Sequence, residues 1–180
     1  MKVKTFEDYI NFTKTTAVYP KEKELEYLVF GVFDEVNELL SKVAVWYTAE
    51  DRLDELGDVC WYMARLFDCL GVEPTIEESL PIRQTYVISE REFETTQKKV
   101  VALFRCMAKF CGFLKKFIRD GNDAKMGMAT DELVVLYALV HDIPSHIKNG
   151  ESLQTVLQRN VEKLSDRKDR GVIKGDGDNR

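Results

Sequence analysis

Glu35 and Glu38 stand three residues apart, and so do Glu55 and Asp58. Residues at that spacing share one face of a helix. If both segments are helical and pack antiparallel, the spacing predicts four carboxylates meeting in one place. Such a cluster repels itself strongly unless a cation sits among its oxygens. Hard oxygen donors suit Mg²⁺, which keeps several waters and takes the rest of its shell from carboxylates and substrate phosphates. The chemistry to expect is a magnesium site for a phosphorylated substrate, built on a helical hairpin.

The elements that must position these residues are legible as apolar periodicity. A short helix is expected over about Thr5 to Thr13, ending before Tyr19-Pro20, because the residue before a proline favours extended backbone. Pro20 then opens a long helix, about Lys21 to Tyr47, with proline tolerated in the first turn. Its core stripe is Leu28, Val32, Val36, Leu39 and Val43, at spacings of three or four. Glu35 and Glu38 border that stripe, where they can face a partner helix. Thr48 caps a second long helix, about Asp51 to Leu70, with Leu53, Leu56, Cys60, Met63, Phe67 and Leu70 inward and Glu55 and Asp58 at the border. Gly57 sits inside this helix at a cost of about 1 kcal/mol relative to alanine, which suggests close approach of another backbone or a ligand. Gly71 ends the helix.

Residues 72–90 read as irregular, broken by Pro74 and Pro81. Ser89 with Glu92 forms a capping-box pattern and predicts a third helix over about Glu90 to Arg119. Its stripe is Val100, Phe104, Met107, Cys111, Leu114 and Ile118, widened by Leu103, Phe110 and Phe117. After the Asp120–Asp123 loop, a fourth helix is expected from a Thr130 cap to Ile147, with Pro144 kinking or shortening its end. Gly150 separates it from a fifth, about Ser152 to Arg167. The result is an all-α bundle of four to five main helices in one domain over residues 1–180. Residues 170–180 form a glycine-rich, charged tail that is either mobile or ordered by a partner.

Composition narrows the classes. The chain has 180 residues, enough for one domain with a sizeable core; it is 44% hydrophobic and 32% charged, ordinary for a soluble globular protein. A net charge of −5 argues against general nucleic-acid binding but not against a nucleotide held through metal. No apolar run is long enough for a membrane span, and the polar start MKVKTFEDYINF does not read as a signal peptide. Cys60, Cys69, Cys106 and Cys111 lie within apolar helical patterns without a CxxC pair, so buried thiols in a reducing cytosol are expected rather than disulfides or zinc. His141 and His146 lack the Glu-x-x-His pattern of a di-iron carboxylate bundle. DGDN at 176–179 lacks the closing glutamate of a calcium loop.

The chain also echoes itself. Residues 28–42 can be laid on 102–116, and the DEL at 54–56 recurs at 131–133. In this alignment Glu35 falls on Lys109, Glu38 on Gly112 and Asp58 on Val135. Either two amphipathic hairpins match by chance, or 72–150 holds a degenerate second hairpin that lost its acidic ligands.

The acidic stretch resembles the MazG-like nucleoside triphosphate pyrophosphohydrolases of the all-α NTP pyrophosphatase superfamily. Their pattern is ExxE, a spacer, then ExxD, often continued as ElGDvlWY. Here it reads Glu35-Val36-Asn37-Glu38, sixteen intervening residues, then Glu55-Leu56-Gly57-Asp58-Val59-Cys60-Trp61-Tyr62. A second match is Asn160, Lys163, Leu164 and Arg167, similar to the Asn-x-x-Lys-Leu-x-x-Arg segment of that family, with a GxGDNR-type ending at Gly175 to Arg180. The resemblance covers about residues 25–71 and 155–180; the middle of the chain departs from the short single-hairpin members.

The resemblance implies hydrolysis of nucleoside or deoxynucleoside triphosphates to monophosphate and pyrophosphate in the cytoplasm. It implies metal ligands Glu35, Glu38, Glu55 and Asp58 for Mg²⁺, with Mn²⁺ as a substitute, or three ligands with one carboxylate, Glu38 for example, acting as general base. Asn160, Lys163 and Arg167 would meet phosphate, Arg180 and the tail would close over the substrate, and Trp61 or Tyr62 would pack against the base. A homodimer or higher homo-oligomer is expected, with no nucleic-acid polymer and no membrane as partner. Bland readings stand beside these: Trp61 as core, and Lys163, Arg167 and Lys109 as helix-surface charges. Two rival functions stay open, a hydrolase of another pyrophosphate-linked molecule and a non-catalytic helical bundle that binds nucleotide or a partner.

Overall fold

The computed structural model of the protein describes residues 2–74 and 95–174. Among these the chain is all-α, with helices α1 (Phe6–Thr13), α2 (Glu24–Ala44), α3 (Ala49–Leu70), α4 (Thr96–Asp120), α5 (Asp123–Ile147) and α6 (Leu153–Asp169), and a single 3₁₀ turn at Lys21–Lys23 before α2. No described helix is long and apolar enough to cross a membrane.

Local chemistry sets most of the ends. Thr5 and Thr48 each complete a capping box, with Asp8 and Asp51 as the returning carboxylates. Ser152 caps α6 through the Thr155 amide, and Gly71 closes α3 in the left-handed conformation. Four expected boundaries differ. The 3₁₀ turn takes the place of the first helical turn after Pro20, and α2 stops at Ala44, short of Tyr47. Helix α4 begins at Thr96, because extended Thr95 accepts from the Lys98 amide and starts the helix there; the Ser89–Glu92 capping pattern and Pro81 lie outside the described residues. Helix α5 begins at Asp123 with Asn122 as cap. Thr130 is inside that helix, its hydroxyl donating to the Gly127 carbonyl, a bond that serves a threonine within a helix as well as a cap would. Pro144 does not end α5, which runs on to Ile147.

The core forms around α3, which packs against α1, α2, α5 and α6, while α4 covers α2 and α5. Leu28, Val32, Val36 and Leu39 of α2 and Leu53, Leu56, Cys60, Met63 and Phe67 of α3 are buried, as their periodicity requires. In α4 the buried stripe is Val100, Leu103, Cys106, Met107, Phe110 and Leu114; Ile118 is 69% exposed, since the last turn projects past its neighbours. All four cysteines are free thiols.

Helix α1 and the segment after it also join the core. Tyr9 is fully buried, and the Trp61 indole N–H donates to the Thr16 hydroxyl at 2.8 Å. Arg65, nearly buried, bonds Glu24 (3.1 Å), Asp68 (2.9 Å) and the Tyr19 hydroxyl (3.0 Å). These contacts tie the N-terminal segment to the α2–α3 hairpin.

Candidate functional site

Helices α2 and α3 bring Glu35, Glu55 and Asp58 together: one carboxylate oxygen of each lies within 4.8 Å of the others. Each side chain borders a buried stripe, so hairpin packing alone turns the three inward. Glu38, one turn along α2, is exposed and stands outside this trio, although its charge still reaches Glu35 and Glu55. The expected quartet is therefore a trio with a fourth carboxylate at its rim.

The trio is electrostatically tense. Glu55 is 2% exposed. Its Oε1 accepts from Lys42 of α2, while its Oε2 is buried with no hydrogen-bond partner. Burial holds the Glu55 carboxyl above its ordinary value in spite of Lys42. Glu35 is pushed up to about 9, first by burial and then by the charges of Asp58, Glu55 and Glu38, with Lys163 opposing. A buried carboxylate oxygen without a donor is costly. Three carboxylates this close, one of them with an unpartnered oxygen, are a donor set that fits a hard divalent cation.

Asp58 receives support from α6. Its Oδ1 accepts from Asn160 Nδ2 at 2.9 Å and its Oδ2 from Lys163 Nζ at 2.5 Å. Asn160 is 2% exposed, so it is turned to Asp58 rather than presented to solvent. Its Oδ1 in turn accepts from the Tyr9 hydroxyl at 2.7 Å. Gly57 explains how α6 comes so near: a Cβ there would sit 3.1 Å from Asn160 Cβ and Nδ2. The close approach expected of this glycine is made by the asparagine side chain.

A cleft open to solvent runs beside the trio. Glu35 and Asp58 line one part of it, and Tyr27, Trp61 and Tyr62 form an aromatic part. Trp61 is both core and wall, 8% exposed and edge-on to Tyr62. The Tyr62 ring lies where a side chain on Gly31 would be, 2.0 Å from an added Cβ, so glycine at 31 is required for that wall. Arg167 is 5% exposed and lines the cleft with Leu164 and Ile173. The tail thus starts at the cleft; Gly175 to Arg180, with the expected role of Arg180, lie outside the described residues.

Sequence reasoning missed Lys42, Tyr9, Thr16 and Tyr27. Lys42 carried a signal, since it follows Glu38 by four residues and shares its helix face. Nothing in the spacing of Tyr9 or Thr16 ties them to residues forty or more positions away.

No family model matches the chain, and no solved structure matches it. The chain is 71% identical over 69 residues to Gene 37 protein of Mycobacterium phage L5, a match that covers 37% of this chain and spans 60% of the length of that phage protein.

Proposed function

We propose that the protein hydrolyses nucleoside or deoxynucleoside triphosphates to the monophosphate and pyrophosphate with Mg²⁺, as its resemblance to the MazG-like enzymes implies. The observation that carries this reading is the convergence of Glu35, Glu55 and Asp58, with Oε2 of the buried Glu55 unpartnered and with Glu35 and Asp58 lining an aromatic cleft that also holds Arg167. Glu35, Glu55 and Asp58 would hold the cation, which supplies charge stabilisation at the phosphate oxygens and a more acidic water. Arg167 is suited to paired hydrogen bonds with phosphate. Tyr27, Trp61 and Tyr62 offer ring faces and edges to a nucleoside. Glu38, exposed one turn from Glu35, would take the proton of the attacking water as the bond between the α-phosphorus and the bridging oxygen breaks. Cytoplasmic action and a homo-oligomeric state belong to the same proposal.

A second reading has an observation of its own. Lys42 already pairs with Glu55 and Lys163 with Asp58, so two of the three carboxylates have cationic partners without any ion. That is the arrangement of a non-catalytic bundle. Pyrophosphate release from a panel of NTPs and dNTPs, with Mg²⁺ and with chelator, separates the two. Metal-dependent release, lost on Asp58→Asn with the helical spectrum kept, supports the enzyme. No turnover on any member, together with no rise in Tm on adding Mg²⁺ or Mn²⁺, sinks it in favour of the bundle. A metal-raised Tm without turnover redirects the search to other pyrophosphate-linked substrates.

A further inference from the structure

We infer that Tyr9 is a positioning residue for the acidic site, acting through Asn160 to fix Asp58 for a divalent cation; this rests on the metal-binding reading above. An ionised carboxylate can only accept hydrogen bonds. The contact of Asp58 Oδ1 with Asn160 at 2.9 Å therefore requires the amide nitrogen to face Asp58. The amide oxygen then points the other way, into a buried region, where it needs a donor. The Tyr9 hydroxyl supplies one at 2.7 Å, and its contact with the Gly57 carbonyl, at 3.3 Å, is longer. Tyr9 and Asn160 are both more than nine-tenths buried, so water does not replace either bond readily.

The geometry around this chain of bonds makes it directional. Gly57 leaves just enough room for the asparagine against α3. Lys163 occupies the other Asp58 oxygen. Asn160 therefore sets the rotation of the carboxylate, and Tyr9 sets the rotation of Asn160. Helix α1, which lies outside the stretches that carry the family resemblance, reaches the acidic trio in this way. Partners that orient a metal ligand from behind change metal affinity by about 10- to 100-fold when removed.

The test uses Mn²⁺ alone as probe, titrated calorimetrically into wild type, Tyr9→Phe, Asn160→Ala and the double variant, with Tm recorded for each. Each single substitution is expected to weaken Mn²⁺ binding by about 10- to 100-fold. The double is expected to be no weaker than Asn160→Ala alone, because Tyr9 acts through Asn160. Pyrophosphate release by Tyr9→Phe should return toward the wild-type rate at saturating metal. A lower Tm with Mn²⁺ affinity within twofold of wild type would mean a merely structural role and overturn the inference, as would single effects that simply add in the double. Should Asn160→Ala fail to fold, Tyr9→Phe alone decides by the same affinity criterion. A wild type that binds no Mn²⁺ overturns the metal site and this inference together; a metal-binding wild type with an indifferent Tyr9→Phe overturns this inference only.

Discussion

The α2–α3 and α4–α5 hairpins place different chemistry at corresponding positions. In the first, Glu35 faces Glu55 and Asp58 across the hairpin. In the second, Lys109 stands at the position aligned with Glu35 and pairs across the hairpin at 3.9 Å with Glu132, the residue aligned with Glu55. Val135 takes the position of Asp58. Glu132 is as inward as its counterpart requires, 8% exposed. An exchange of sign at one position and the loss of a carboxylate at another thus separate three facing carboxylates from a lysine–glutamate pair. The second hairpin balances its buried charge from within. The first sets two lysines, Lys42 of its own helix α2 and Lys163 of α6, against three carboxylates. That residual imbalance is what a cation would relieve.

Four experiments test the difference between the two hairpins. The largest effect is expected from Glu35→Lys, which writes the second hairpin's solution into the first. Turnover should fall by about 10³-fold, the scale for loss of a principal electrostatic element. The metal-induced rise in Tm should vanish, and the metal-free Tm should hold or increase as the new ammonium meets Glu55 and Asp58. If the metal response survives, the trio is not the cation site. Glu38→Gln comes next: a rate loss of about 10²-fold is expected for removal of a general base, with the metal-induced Tm rise retained, since Glu38 stands outside the trio. Loss of that rise would make Glu38 a ligand and restore the quartet.

Third is pH. Glu35 titrates near 4.5 when unfolded and is pushed up to about 9 in the fold. Between those values the native state holds a proton that the unfolded state has released, so this group makes stability fall as pH rises through that window. In chelator, urea unfolding should show wild type losing stability between pH 6 and 9, and Glu35→Gln losing less. Parallel curves would place Glu35 in a more solvated setting than its burial implies. The smallest effect is expected in the second hairpin. Lys109→Met removes a half-exposed partner of Glu132 and should cost about 1 kcal/mol in urea unfolding, with pyrophosphate release within about twofold of wild type. A large loss of turnover there would mean that the α4–α5 hairpin does more than carry the fold.

Much of the fold was legible because its signals are local. The buried stripes of α2 and α3 recur every three or four residues, and Thr48, Gly71 and Ser152 cap through bonds to residues within a few positions. Helix α5 starts at the Asn122 cap instead of Thr130 because both residues have capping chemistry and the signal does not rank them. The site was legible in part. Spacing put Glu35, Glu55 and Asp58 at the border of their stripes, but it treated Glu38 as their equal. Glu55 and Asp58 have the same spacing and both reach the trio, so spacing does not separate the members of a pair; what each helix packs against does, and Glu38 is left exposed.

Six helical segments, an acidic hairpin and the inward faces of its helices follow from the chain's local pattern, since these depend on interactions within one or two turns. Only the tertiary structure decided which carboxylates meet, that Lys42 and Lys163 hold two of them, that Arg167 is buried in the cleft, and that Asn160 faces Asp58 instead of solvent. It also decided that Tyr9 reaches Asn160 across 151 positions of chain. The physical reason is that burial and hydrogen-bond partners at such separations are set by how whole helices pack. That packing is the summed outcome of the core, and no single spacing in the chain encodes it.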